Sequence, residues 1–170
     1  FSTDTPMIGG GLSLDLSATT DYVVSDTPGY TGVAGTAARS IAAWVKVTDD
    51  TVANPHIVEW GSPGNGQRYS FKVNTSAGNG TLGGLRVEVA GGYIITGSLV
   101  INDGAWHHVA ATWEEDGTPD VEDVLLYVDG VLDNVTPPPT TPNPEPINTG
   151  DLNLVTVGAS SMFDGRSVAG

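Results

Sequence analysis

The chain has 170 residues, enough for one domain with a sizeable core and too few for two comfortable ones. Its 20 acidic residues against 6 basic ones give a net charge of −14, a surface that repels nucleic-acid phosphates and anionic lipid headgroups. There is no cysteine, which excludes disulfides and thiolate metal sites.

No apolar run approaches a membrane span, so membrane insertion is not expected. Phe1 rather than Met opens the sequence, which therefore reads as a processed form or an excised fragment. Helical apolar spacing is nearly absent, and short alternating runs between Gly, Pro, Asn and Asp take its place. Residues 12–16 (LSLDL) and 22–24 (YVV) predict an opening strand pair. Residues 41–47 are apolar on both faces, with Ile41, Ala43, Val45 and Val47 opposite Ala42 and Trp44, and predict a well-covered central strand. Residues 57–60 predict a further strand.

In residues 68–73, Tyr69, Phe71 and Val73 share one face and Arg68, Ser70 and Lys72 the other. In residues 85–89, Leu85, Val87 and Val89 oppose Arg86 and Glu88. Both predict antiparallel strands with one wet face. Strands follow at 93–96, 106–113, 124–128 and 152–157. Asp129-Gly130 is the strongest hairpin turn, because glycine tolerates positive φ and aspartate sits well beside it. Asn102-Asp103-Gly104 is a second turn. Residues 137–146 (PPPTTPNPEP) read as a stiff surface loop inside a single domain spanning 1–170. About ten short strands with turns at each gap make an all-β sandwich.

Four motifs in order now point to a family. Residues 39–46 (RSIAAWVK), 103–113 (DGAWHHVAATW), 126–130 (LYVDG) and Val157-Gly158 followed by Phe163-Asp164-Gly165 resemble the strands of laminin-G-like jelly rolls. The resemblance covers residues 12–165. It implies a concanavalin A-like fold, an antiparallel jelly-roll sandwich of two curved sheets. It also implies an extracellular or cell-surface setting. Such domains carry one more strand after the Phe-Gly motif, and here the chain stops at Gly170. A fragment, a slot filled by residues 1–11, and a strand donated by another subunit all account for this.

Asp15, Asp21 and Asp164 are the calcium candidates that the resemblance implies, where the first and last strands of such domains meet. The acidic stretch 114–123 lacks the alternating ligand pattern of a calcium loop and reads as solvated. His107 and His108 are adjacent, so in a strand they face opposite ways and make no zinc pair. Trp44, Trp106 and Trp113 read as core. Trp60, before the loop 61–67, is the candidate sugar platform together with Gln67 and Arg68, with burial of Trp60 as the competing reading. Asn74, Asn79 and Asn134 each begin an N-glycosylation pattern.

A concanavalin-like glucanase places its carboxylates as E-x-D-x-x-E. Glu114 and Asp116 begin that pattern, and Pro119 stands where the second Glu belongs. The expectation is a noncatalytic recognition module that binds a glycan or an extracellular protein. A surface-layer or filament subunit, assembled with copies of itself through an open sheet edge, is the alternative. A hydrolase ranks last.

Overall fold

The computed structural model describes residues 1–6, 11–16, 21–25, 30–48, 55–114, 116–133 and 146–160. Ten strands lie among them: β1 (Val23–Val24), β2 (Arg39–Lys46), β3 (His56–Gly61), β4 (Arg68–Val73), β5 (Gly84–Val89), β6 (Tyr93–Val100), β7 (Trp106–Trp113), β8 (Leu125–Val128), β9 (Val131–Leu132) and β10 (Asn153–Val157). One sheet has the order β1-β10-β3-β4-β5-β6 and the other β2-β7-β8-β9. Every named pair is antiparallel. The described residues contain no α-helix, only short 3-10 turns at Ala77–Asn79 and Val121–Asp123. This is the antiparallel sandwich the alternation predicts.

The period of two decides which side chains meet between the sheets. Tyr69, Phe71 and Val73 of β4 and Leu85, Val87 and Val89 of β5 form one inner face. Val109, Ala111 and Trp113 of β7, with Leu126 and Val128 of β8, form the other. All are buried, and each large side chain contributes about 1.5–3 kcal/mol on leaving water. The β8–β9 hairpin turns on Asp129 and Gly130, whose φ values of 52° and 80° are the left-handed pair a tight two-residue turn needs.

Three expectations change. Among the described residues β2 stands at the edge of its sheet and not in the centre: its one described partner is β7, and Ser40, Ala42, Trp44 and Lys46 face outward, exposed. Apolar residues on both faces reflect an apolar outer surface here, not a second cover. Conversely, the polar faces of β4 and β5 are not wet: Ser70, Lys72, Arg86 and Glu88 are all buried. Finally, residues 12–16 form no strand, since Ser13 makes a single bridge to Ser2 while Leu12 and Leu14 stay exposed. A strand-like pattern does not make a strand without a neighbour to pair with. Of the proline-rich segment, only Pro146 is among the described residues, bridged to Asp120.

Candidate functional site

The polar face of the six-stranded sheet is built by register. Glu59, Ser70 and Glu88 stand in one row across β3, β4 and β5, and His56, Lys72, Arg86 and Thr96 in the next. Arg68, Lys72 and Arg86 are half of the chain's 6 basic residues. Burial forces them to find carboxylates. Glu88 takes Lys72 at 2.8 Å, Arg68 at 3.2 Å and Arg86. Glu59 takes His56 Nε2 at 3.2 Å and Arg68 Nε at 3.7 Å, and accepts from Ser160 Oγ at 2.7 Å.

Burial alone would raise the Glu59 pKa, but the His56 and Ser160 hydrogen bonds and the His56 and Arg68 charges hold it at about 2. Burial also opposes ionisation of Glu88, and Lys72, Arg86 and Arg68 overcome it and keep its pKa lowered. Two carboxylates held ionised cannot donate a proton at neutral pH, so this row offers no general acid. Between them Ser70 Oγ is fully buried and has no hydrogen-bond partner among the described residues.

The proposed sugar platform at Trp60 does not form. Trp60 is only 4% exposed, stacked on Tyr69 at 4.9 Å, with its indole N–H donated to the Val33 carbonyl at 3.0 Å. Gly32, at φ +88°, passes so close that a Cβ there would lie 2.2 Å from the indole Cδ1. No ring face is left for a pyranose. Gln67 is exposed in the β3–β4 hairpin, while the adjacent Arg68 turns back onto the sheet to Glu59 and Glu88. The three residues are neighbours in sequence and do not converge on one open surface.

The exposed tryptophan is Trp44, 45% accessible on the outer face of β2. Its ring meets that of His108 edge-on at 5.3 Å. In the next row the small residues Ala42 and Ala110 lie between Trp44 and the half-buried Tyr127, paired Ala42–Ala110–Tyr127 across β2, β7 and β8. The result is a shallow floor with an aromatic at either end. The sequence carried a signal for this: Trp44 shares its parity with Ser40 and Lys46, which mark the outward face of the strand.

At the end of the same sheet, Asp4 accepts from Trp106 Nε1 at 2.9 Å and pairs with Lys46 at 2.6 Å. His107 lies between Asp103 and Asp129, and His108 is turned to Trp44, so the two imidazoles diverge as adjacent strand residues must. Asn74 is fully buried and its amide donates to the carbonyls of Ser76, Gly80 and Thr81, which leaves that nitrogen no room for a glycan.

Asp15 is exposed and Asp21 half-buried, and both make contacts of their own. The segments that carry them both approach Gly158, where a Cβ would come 2.6 Å from Leu16 Cδ1 and 3.4 Å from the Asp21 carbonyl oxygen. Asp164 lies outside the described residues. Among the described residues no three His, Asp or Glu side chains gather to hold a metal.

A laminin G family model, described as the concanavalin A-like lectin/glucanases superfamily, matches residues 17–169. The chain belongs to this superfamily. Among solved structures, this superfamily domain is similar to the mouse laminin α1 chain, domains LG4-5, with a TM-score of 0.56 at 11% identity. The match covers 91% of the present chain and 38% of the laminin chain, and it establishes a shared fold. No curated protein matches the sequence.

Proposed function

We propose that this concanavalin A-like domain is a noncatalytic extracellular recognition module that binds a neutral glycan on the outer face of its four-stranded sheet. The observation that carries the reading is the Trp44 indole, exposed beside the Ala42–Ala110 floor. An indole face covers the apolar face of a pyranose, and the His108 imidazole and Thr112 hydroxyl on the same sheet face supply polar partners for its hydroxyls. The net charge of −14 disfavours polyanionic ligands and supports an uncharged one. The noncatalytic half of the reading is supported by Glu59 and Glu88, both held ionised by their cations.

Titration calorimetry against a panel of soluble neutral oligosaccharides tests it. Trp44→Ala is expected to weaken binding at least tenfold, about 1.4 kcal/mol, while Trp44→Phe retains most of it. Equal binding by Trp44→Ala, or turnover of any polysaccharide lost on replacing one carboxylate, overturns the reading.

A further inference from the structure

We infer that Asn79 is a self-modifying site: its side chain closes onto the Gly80 backbone nitrogen and passes to aspartate and isoaspartate, while the chain's other Asn-Gly pair, Asn65-Gly66, is held inert by the fold. These are the two Asn-Gly pairs in the sequence. A glycine after asparagine leaves the attacking nitrogen uncrowded, since it has no Cβ. What separates the two pairs is the hydrogen bonding of that nitrogen.

Gly66 lies in the β3–β4 hairpin and is tied on both sides. Its N–H donates to the Ala90 carbonyl at 2.8 Å, and its carbonyl accepts the Asn148 N–H at 3.0 Å. A nitrogen committed to a carbonyl cannot give up its proton or turn toward a side chain without breaking that bond. Asn79 ends the 3-10 turn Ala77–Asn79, and there the fold grips the oxygens instead. Thr96 Oγ1 donates to the Asn79 carbonyl at 2.6 Å, and Asn74 Nδ2 to the carbonyls of Gly80 and Thr81 at 3.1 and 2.9 Å. The Gly80 N–H has no acceptor at hydrogen-bonding geometry among the described residues. Gly80 also stands at φ +112°, with Thr96 Cβ 2.9 Å from where a Cβ would be, so the position refuses a larger residue that would shield the nitrogen.

The reaction needs only water. The Gly80 nitrogen forms a bond to Asn79 Cγ, the Cγ–Nδ2 bond breaks, and ammonia leaves with the proton from the Gly80 nitrogen. Water then adds to either carbonyl of the cyclic imide. Opening at the side-chain carbonyl gives aspartate. Opening at the backbone carbonyl gives isoaspartate, whose main chain is longer by one methylene. Asn79 is half-buried, so water and hydroxide reach it. In isoaspartate the carbonyl that Thr96 holds leaves the main chain, and the loop that Asn74 clasps is loosened. None of this depends on what Trp44 binds.

The two sites fall on separate tryptic peptides, because cleavage at Lys46, Arg68, Lys72 and Arg86 releases 47–68 and 73–86. The unaltered folded chain is held in mildly alkaline buffer and the peptides are followed by mass, with about one dalton gained per converted site. Isoaspartate is read by methylation with a protein isoaspartyl methyltransferase. Asn79 is expected to convert at least tenfold faster than Asn65, although Asn65 is the more exposed. In concentrated urea the two rates should converge, because each is then the same dipeptide in an open chain. Equal rates in the folded chain, or faster conversion at Asn65, overturn the inference. So does a tenfold ratio that persists in urea, since local sequence then sets it and not the hydrogen bond to Ala90. Asn79→Gln sets the amide one methylene further from the nitrogen and should silence the 73–86 peptide. Continued conversion of that peptide at Asn74 overturns the assignment to Asn79.

Discussion

His107 Nδ1 stands 2.8 Å from Asp129 Oδ2, while the other oxygen of that carboxylate accepts the His108 backbone N–H at 2.9 Å. One aspartate in a left-handed turn thus fastens the β8–β9 hairpin to β7, and Asp103 reaches His107 Nε2 from the opposite side at 3.1 Å. Burial disfavours the imidazolium, but hydrogen bonds and charge from Asp129 and Asp103 outweigh it and raise the His107 pKa. A raised folded-state pKa means this stabilisation is fully present below about pH 6.5 and lost as pH rises through the folded value. Thermal melts of the native chain should therefore fall by a few degrees across that rise. His107→Gln should melt lower at pH 6 and show a flatter profile. An unchanged profile in His107→Gln removes the imidazolium from the account.

Glu59 works in the opposite direction. With its folded pKa at about 2 against an ordinary 4.5, its contribution is present above about pH 4.5 and lost as pH falls toward 2. Glu59→Gln leaves His56 and Arg68 short of a buried anion, and is expected to destabilise by about 3–5 kcal/mol at pH 7 in urea unfolding. The deficit should shrink as the native protein is itself acidified. A deficit independent of pH would mean that shape, not charge, is what Glu59 supplies.

Local pattern made most of the fold legible. Tyr69, Phe71 and Val73 announce an inward face by parity alone, and Asp129-Gly130 announces its turn by φ tolerance. The sites that parity leaves open or misplaces depend on partners far off in the chain. Trp60 is enclosed by Gly32 and by the Val33 carbonyl, 27 positions away, which no strand-length window contains. Ser70 and Lys72 look solvent-facing until β5 delivers Glu88 alongside. Alternation also cannot say whether a strand has one neighbour or two, which is why β2 reads as central and stands at an edge among the described residues.

Ser70 offers a test with an unusual sign. Its hydroxyl is wholly enclosed between the two glutamates and lacks a partner among the described residues. An unmade buried hydrogen bond costs about 1–3 kcal/mol. Ser70→Ala removes that penalty for the loss of one oxygen, and should leave stability unchanged or raise it by about 1 kcal/mol in urea unfolding. A loss of 2 kcal/mol or more, about the energy of a buried hydrogen bond to a charged group, would mean that the hydroxyl is hydrogen-bonded after all.

Arg39 is a buried cation held by neutral groups. Its guanidinium donates to the carbonyls of Ala37, Val33 and Gly35 at 3.0, 3.1 and 2.8 Å and to Thr149 Oγ1 at 2.7 Å, and it lies over the rings of Tyr69 and Trp113. A planar fork reaches four acceptors and two aromatic faces at once, and a lysine ammonium, a single point with three protons, does not. Arg39→Lys is therefore expected to lose about 2–3 kcal/mol despite keeping the charge. The damage should be local. Gly35 and Thr149 exchange backbone hydrogen bonds at 2.7 and 3.1 Å, and their amides should exchange with solvent faster, while those of β4 and β5 keep their protection. If Arg39→Lys unfolds within 0.5 kcal/mol of the native chain, about the scatter of a neutral surface substitution, positive charge alone is what the loop requires and the fork geometry is incidental.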